Sequence, residues 1–177
     1  MFGTAFLVAA SMVLAQAEQS AEAKPEYDLN LEPIAWLIGE WTSEQTTGTG
    51  DLKQTVRVTT KWMANGKAML LEATARKPDG TPNWSEVLVN YWDPSQKRIC
   101  MHLVGSGGYV IQGTLMEANE TGLFYEQTWV FGNGNQGYYK NKIGRQPGEA
   151  DSFTNGWTKV SGMGNQDIGP FEFKRVK

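Results

Sequence analysis

The sequence predicts an all-β fold, a closed up-and-down antiparallel barrel of about ten strands with a short N-terminal helix closing one end. Three observations carry this expectation. From Trp41 onward, turn clusters rich in Gly, Asn, Asp and Pro separate short segments enriched in β-branched and aromatic residues. When each hairpin is folded at its turn, charged residues collect on one side of the sheet, as period-two alternation requires. Only Leu31 to Ile38 reads as helical, with Leu31, Ile34 and Ile38 on one stripe and Gly39 as its stop.

The elements follow in chain order. Residues 1–17, MFGTAFLVAASMVLAQA, contain no charge, an apolar run from Phe6 to Leu14 and an Ala15-Gln16-Ala17 ending. They read as a secretory signal without the usual basic residue ahead of the run, and they place the protein outside the cytoplasm, secreted or periplasmic. The run is shorter than the roughly 20 apolar residues of a membrane span, and no second one follows, so no membrane span is expected. Residues 18–30 are polar and read as a flexible leader. Residues 31–177 are expected to form one domain.

Charge and cysteine content narrow the classes of partner. The formal net charge is −3 and there is no basic run, which argues against nucleic acid, because phosphate binding needs clustered Lys and Arg. Cys100 is the only cysteine; it has no partner for an intrachain disulfide and sits nowhere near a lipidation site after the signal.

Following the strands, the inward face collects Trp41, Ser43 and Gln45, then Val56, Val58, Thr60 and Trp62, then Met69, Leu71, Ala73 and Ala75. Carried on in the same register, it takes Val87, Val89 and Tyr91, then Arg98, Cys100 and His102, then Ile111, Gly113 and Leu115. Tyr125, Gln127 and Trp129 follow, and then Tyr139, Asn141 and Ile143. The outward face holds Lys53, Arg57, Lys61, Glu72, Arg76, Glu86, Glu126, Lys140 and Lys142. In the ninth strand apolarity puts Phe153 and Trp157 inside whereas turn counting puts Thr154 there; a bulge near Pro147 would reconcile the two. Phe171 and Phe173 face in on the last strand.

One lumen wall is thus expected to be apolar and the other polar and aromatic. Arg98, His102, Tyr125, Gln127, Trp129, Tyr139 and Asn141 are the candidate ligand-binding residues. Several polar groups facing one lumen imply partners, water or a ligand, since an unpaired one costs about 1–3 kcal/mol. The alternative is a polar network that satisfies itself. Arg98 would favour an anionic head group unless Glu117 pairs with it. Cys100 and His102 alternate on one strand, about 6–7 Å apart, too far for a ready nucleophilic dyad and too few for a zinc site. No catalytic residue, metal or cofactor is assigned. GSGGYVIQG reads as a hairpin turn, because no helix follows to make a phosphate loop. Asn119-Glu120-Thr121 matches a glycosylation sequon in an exposed turn.

The opening WLIGEW, the Gly39-x-Trp41 pair and the Tyr91–Pro94 turn in YWDPSQKRI make residues 31–176 similar to small bacterial lipocalin-like (calycin-type) barrels, mostly of unknown function. These include the barrel found beside SnoaL-type domains in planctomycete proteins. The resemblance implies a barrel whose first tryptophan packs under a closing helix; the catalytic His and Asp of the SnoaL fold itself have no counterpart. Pro33, Leu37, Gly39 and Trp41 also resemble the start of nitrobindin-like haem barrels, whose iron ligand is a histidine near the C-terminus. The last strand here has none, which leaves His102 as the one candidate ligand. The expected function is binding of a small apolar or amphipathic molecule in the lumen. The alternatives are an isomerase or hydrolase using His102 with Tyr125 or Tyr139, and a structural or interaction module.

Overall fold

The computed structural model describes residues 27–47, 52–63, 65–145, 148–164 and 167–177. The signal segment, most of the leader and the expected bulge at Pro147 lie outside the described residues. A 3-10 helix, Leu29–Leu37, leads into ten strands: β1 Gly39–Thr47, β2 Leu52–Met63, β3 Ala68–Arg76, β4 Pro82–Asp93 and β5 Arg98–Gly105, then β6 Val110–Asn119, β7 Gly122–Val130, β8 Gln136–Arg145, β9 Ser152–Gly162 and β10 Asp167–Arg175. Each strand pairs antiparallel with its chain neighbour, and β1 pairs with β10 to close the barrel. The fold class is therefore the one the hairpin pattern predicts. No helix among the described residues is long and apolar enough to cross a membrane.

The helix is wound to three residues per turn, so the buried stripe is Leu31, Ile34 and Leu37. Ile38, expected on that stripe, is instead the C-cap, half-buried in an extended conformation. The helix also begins two residues earlier than expected. Asp28 caps it by accepting from the Asn30 backbone N–H at 3.0 Å, and the Asp28 backbone donates to Gly66 O at 2.9 Å, which ties the helix to the β2–β3 turn.

Beneath the helix lies an aromatic floor. Trp41 is fully buried, its Nε1–H donating to Leu37 O at 2.8 Å, and its ring meets Phe153 edge-on at 4.9 Å. Phe153 in turn stacks on Phe173 at 4.9 Å. The Arg175 guanidinium lies 4.1 Å over Trp41 and donates to Ile38 O at 2.9 Å and Trp36 O at 3.3 Å. Gly39 adopts φ +130°, and Arg175 occupies the space a side chain there would need. Only glycine serves at this position.

The inward faces of β1, β2 and β3 are those read from the sequence, and so are those of β6, β7 and β8. On β4 and β5 the structure reverses the expectation. Val87 is 47% and Val104 60% exposed, Tyr91 faces outward, and Arg98 and His102 are exposed. Trp84, Glu86, Leu88 and Asn90 point inward instead, followed by Ile99, Met101 and Leu103. The cause is one residue at each of two hairpins. Arg76 pairs with Pro82 but Ala75 pairs with Trp84, so Asn83 is an extra residue that turns β4 over. The β5–β6 hairpin restores the register with a three-residue loop, Ser106 to Gly108, whose Gly108 sits at φ +74°.

β9 places Phe153, Asn155 and Trp157 inside, with Ile143 opposite Asn155, and a register shift lies at its far end beside Val160. Phe171 and Phe173 face in on β10, as read, with a further irregularity at Gly169-Pro170. Outside, opposite charges face each other on neighbouring strands, as in the 3.0 Å Lys61–Glu72 pair.

Candidate functional site

The barrel encloses a cavity of about 230 Å³. Leu37 and Phe153 reach it from the helix end, where residues are fully buried. Trp84, Glu86, Trp129 and Trp157 line it toward the opposite end and are half-buried, so the way in lies there. Val56, Val58, Leu71 and Ala73 of β2 and β3 form an apolar wall. A larger depression of about 810 Å³ lies on the outer wall across β6 to β10. It is open to solvent and bordered by Glu117, Glu126, Lys140, Lys142 and Asp167, charges of both signs on a strand surface. The enclosed lumen, in which the polar and aromatic groups converge, is the better candidate.

Gln127 organises the polar wall. Its Oε1 accepts from Trp129 Nε1 at 3.1 Å and from Trp157 Nε1 at 2.9 Å, and its Nε2 donates to Asn141 Oδ1 at 3.3 Å. Asn141 Nδ2 donates to Asn155 Oδ1 at 2.7 Å and to Gly156 O at 2.9 Å. A second cluster centres on Gln54, which donates to Gln45 Oε1 at 3.1 Å and accepts from Asn83 at 2.7 Å and Trp84 Nε1 at 3.2 Å. Tyr125 OH donates to Asn90 Oδ1 at 3.4 Å, and burial pushes the phenol well above its ordinary range. Much of the lumen's polarity is therefore matched within the protein. Some is not: Asn90 Nδ2, Asn155 Nδ2 and Gln45 Nε2 donate to no protein atom among the described residues.

Glu86 adds an acid at the mouth. It lies between Ala73 of β3 and Gly105 of β5, neither of which brings a charge. Tyr109 OH donates to one carboxylate oxygen. Burial raises the Glu86 carboxyl above the usual carboxylate range, partly opposed by that hydrogen bond. The Tyr109 phenol is pushed far up by burial and by the facing carboxylate. The Tyr109 ring occupies the space a Cβ at Gly105 would take, so glycine there lets Tyr109 fold over Glu86. The ring then stacks on Trp129 at 6.1 Å, and Trp129 meets Trp157 edge-on at 6.0 Å.

Of the residues expected to bind a ligand, Tyr125, Gln127, Trp129 and Asn141 line the cavity. Tyr139 points inward behind them, packed against Trp129 at 4.7 Å, with its OH donating to Met163 O at 3.4 Å. Arg98 and His102 are corrected to the outside by the reversal of β4 and β5. Arg98 Nη1 lies 3.2 Å from Met116 Sδ, while Glu117 accepts from Asn119, so the expected Arg98–Glu117 pair is replaced by other contacts. His102 Nε2 is 3.4 Å from Tyr91 OH on the outer face, and the acid-base pairing of His102 with Tyr125 or Tyr139 is not formed. Cys100 is buried beneath the same outer face, with Sγ 4.0 Å from Thr114 Oγ1. The sequence reading missed Glu86, Trp84, Asn90 and Asn155 as lumen residues. The signal for the first three was Asn83, the position where hairpin counting fails.

Among the described residues no group of three or more His, Cys, Asp and Glu side chains is placed to hold a metal ion. The chain matches no family model, and no curated protein matches it.

Proposed function

We propose that the barrel binds a small, largely apolar molecule in its lumen. The carrying observation is an enclosed cavity, apolar on the β2–β3 side, into which Asn90, Asn155 and Gln45 bring amide donors that no protein atom among the described residues accepts from. These nitrogens are left for water or a ligand acceptor in the cavity, whereas the fully buried side-chain polar atoms without a partner among the described residues are Ser43 Oγ and Thr60 Oγ1. The size suits a modest molecule: a cavity of about 150 Å³ holds benzene, and drug-sized pockets begin at about 300 Å³. The signal-like residues 1–17 support a location outside the cytoplasm for such a binder, and the barrel form supports the likeness to lipocalin-like proteins.

2-Phenylethanol is a suitable probe, and Trp84, Trp129 and Trp157 at the mouth report its entry through their fluorescence. Saturable binding is expected, and it weakens at least tenfold in Ala73→Leu, which fills the cavity while keeping an apolar residue at a buried position. No saturable response in the wild type, or equal affinity in the two proteins, would overturn the lumen site.

A further inference from the structure

Resting on that reading, the charge sign of the lumen narrows what it takes. None of the residues lining the cavity is Lys, Arg or His, and Glu86 is the one carboxyl among them. Arg98 and His102, the cations that would have turned the lumen toward anions, are on the outside. Glu86 uses one oxygen to accept from Tyr109, and among the described residues no donor reaches the other. No charged residue pairs beside it on β3 or β5. A carboxyl so placed offers a single charge-assisted acceptor site at the entrance to an apolar cavity.

The aromatic groups around it point the same way. Trp84 lies two residues before Glu86 on the same face, about 6–7 Å along the strand. The indole N–H groups of Trp84, Trp129 and Trp157 are all spent on Gln54 and Gln127. What these rings leave for a ligand is π surface, whose negative face attracts cations. An anion entering here meets a carboxyl and ring faces of like electrostatic sign, with no cation among the lining residues to offset them.

We propose that the lumen selects a small organic monocation, an amine with an apolar tail, whose ammonium group sits at the mouth on Glu86 among Trp84, Tyr109 and Trp129 while the tail fills the β2–β3 side. Burial of the Glu86 carboxyl fits this arrangement, because an incoming ammonium supplies the opposite charge that the protein itself withholds.

Three probes of nearly one shape separate the possibilities by calorimetry at neutral pH and low salt: 2-phenylethylammonium, 2-phenylethanol and phenylacetate. The wild type is expected to bind the ammonium at least tenfold more tightly than the alcohol, with phenylacetate weakest. In Glu86→Gln the ammonium and alcohol affinities converge, because the neutral isostere removes the charge that sets them apart. The wild-type comparison alone decides if the variant folds poorly. Equal affinity for ammonium and alcohol in the wild type would overturn cation selection and leave lumen binding standing, as would a preference that survives unchanged in Glu86→Gln. Binding of none of the three would overturn both proposals.

Discussion

Gln127 is the residue through which the most lumen contacts pass, and Gln127→Leu tests whether those contacts hold the barrel. The side chain is 5% exposed and keeps nearly the same volume as Leu. Its removal leaves Trp129 Nε1, Trp157 Nε1 and Asn141 Oδ1 without the partners they have at 3.1, 2.9 and 3.3 Å. A buried polar atom stripped of its partner costs about 1–3 kcal/mol. Both indoles are half-buried near the mouth and recover part of this from water, so the three together come to about 2–4 kcal/mol. In a domain of this size each kcal/mol moves the melting temperature by about 2–4 °C, giving a fall of roughly 5–15 °C.

Urea unfolding followed by tryptophan fluorescence measures the change, with Gln112→Leu on the exposed face of β6 as the control, expected within about 0.5 kcal/mol of wild type. Trp157→Phe removes one of the donors in advance, so the double variant loses less than the sum of the singles, by about 1 kcal/mol. Additive losses, or a Gln127→Leu loss no larger than that of the control, would refute the view that these hydrogen bonds form one network.

Trp41→Ala removes a fully buried ring, its bond to Leu37 and the surface under Arg175; a loss of about 3–5 kcal/mol is expected in chemical denaturation, against a fraction of that for exposed Lys61→Ala. With no ligand present, the Glu86 carboxyl has its folded-state pKa raised above the ordinary 4.5 by burial. Its contribution to stability is fully present below about pH 4.5 and is lost as pH rises through the raised value. The melting temperature of wild type relative to Glu86→Gln should therefore fall from pH 4.5 toward neutrality, and a difference that stays flat or rises would contradict a buried Glu86. His102→Gln, on the outer face, leaves 2-phenylethanol affinity within about twofold of wild type; a tenfold loss would put His102 back in the lumen. In the β4–β5 turn, the Asp93 carboxyl accepts from the Ser95 hydroxyl, from Gln96 and from the Ser95 backbone, and an NMR titration should find it ionising at about 2.

The sequence made the architecture legible because ten strands and their turns repeat one pattern, and chain-neighbour pairing leaves few alternatives to an up-and-down barrel. The floor was legible for a different reason: Trp41 comes just after a short apolar helix and the Gly39 that stops it, close enough for the ring to sit beneath the helix. The mouth was misread because two faces of β4 and β5 are both apolar. Val87, Val89, Tyr91 and Val104 lie outside while Leu88, Met101 and Leu103 lie inside, so composition could not detect the one-residue slip at Asn83. The compensating slip at Ser106–Gly108 returned the count to register, and β6, β7 and β8 then looked consistent. Two errors that cancel downstream leave no trace in the alternation of charges. Among the charges Arg98 moved out and Glu86 moved in, and Glu86 became the most informative residue of the lumen.

The seam between β1 and β10 is the narrowest in the barrel, with two residue pairs, Trp41 with Arg175 and Thr42 with Lys174. Arg175 bridges it by reaching Trp36 and Ile38, residues 139 and 137 positions away in the chain. Every other pairing joins chain neighbours and can form as a local hairpin. Closure of this one gap is the longest-range pairing in the domain, and long-range pairing of this kind slows folding. During synthesis the hairpin pairings of β1 to β9 can assemble as an open, curved sheet with its apolar concave face exposed. Until β10 has emerged, the chain has no enclosed interior, and in that interval its unpaired β1 edge is open to neighbouring chains.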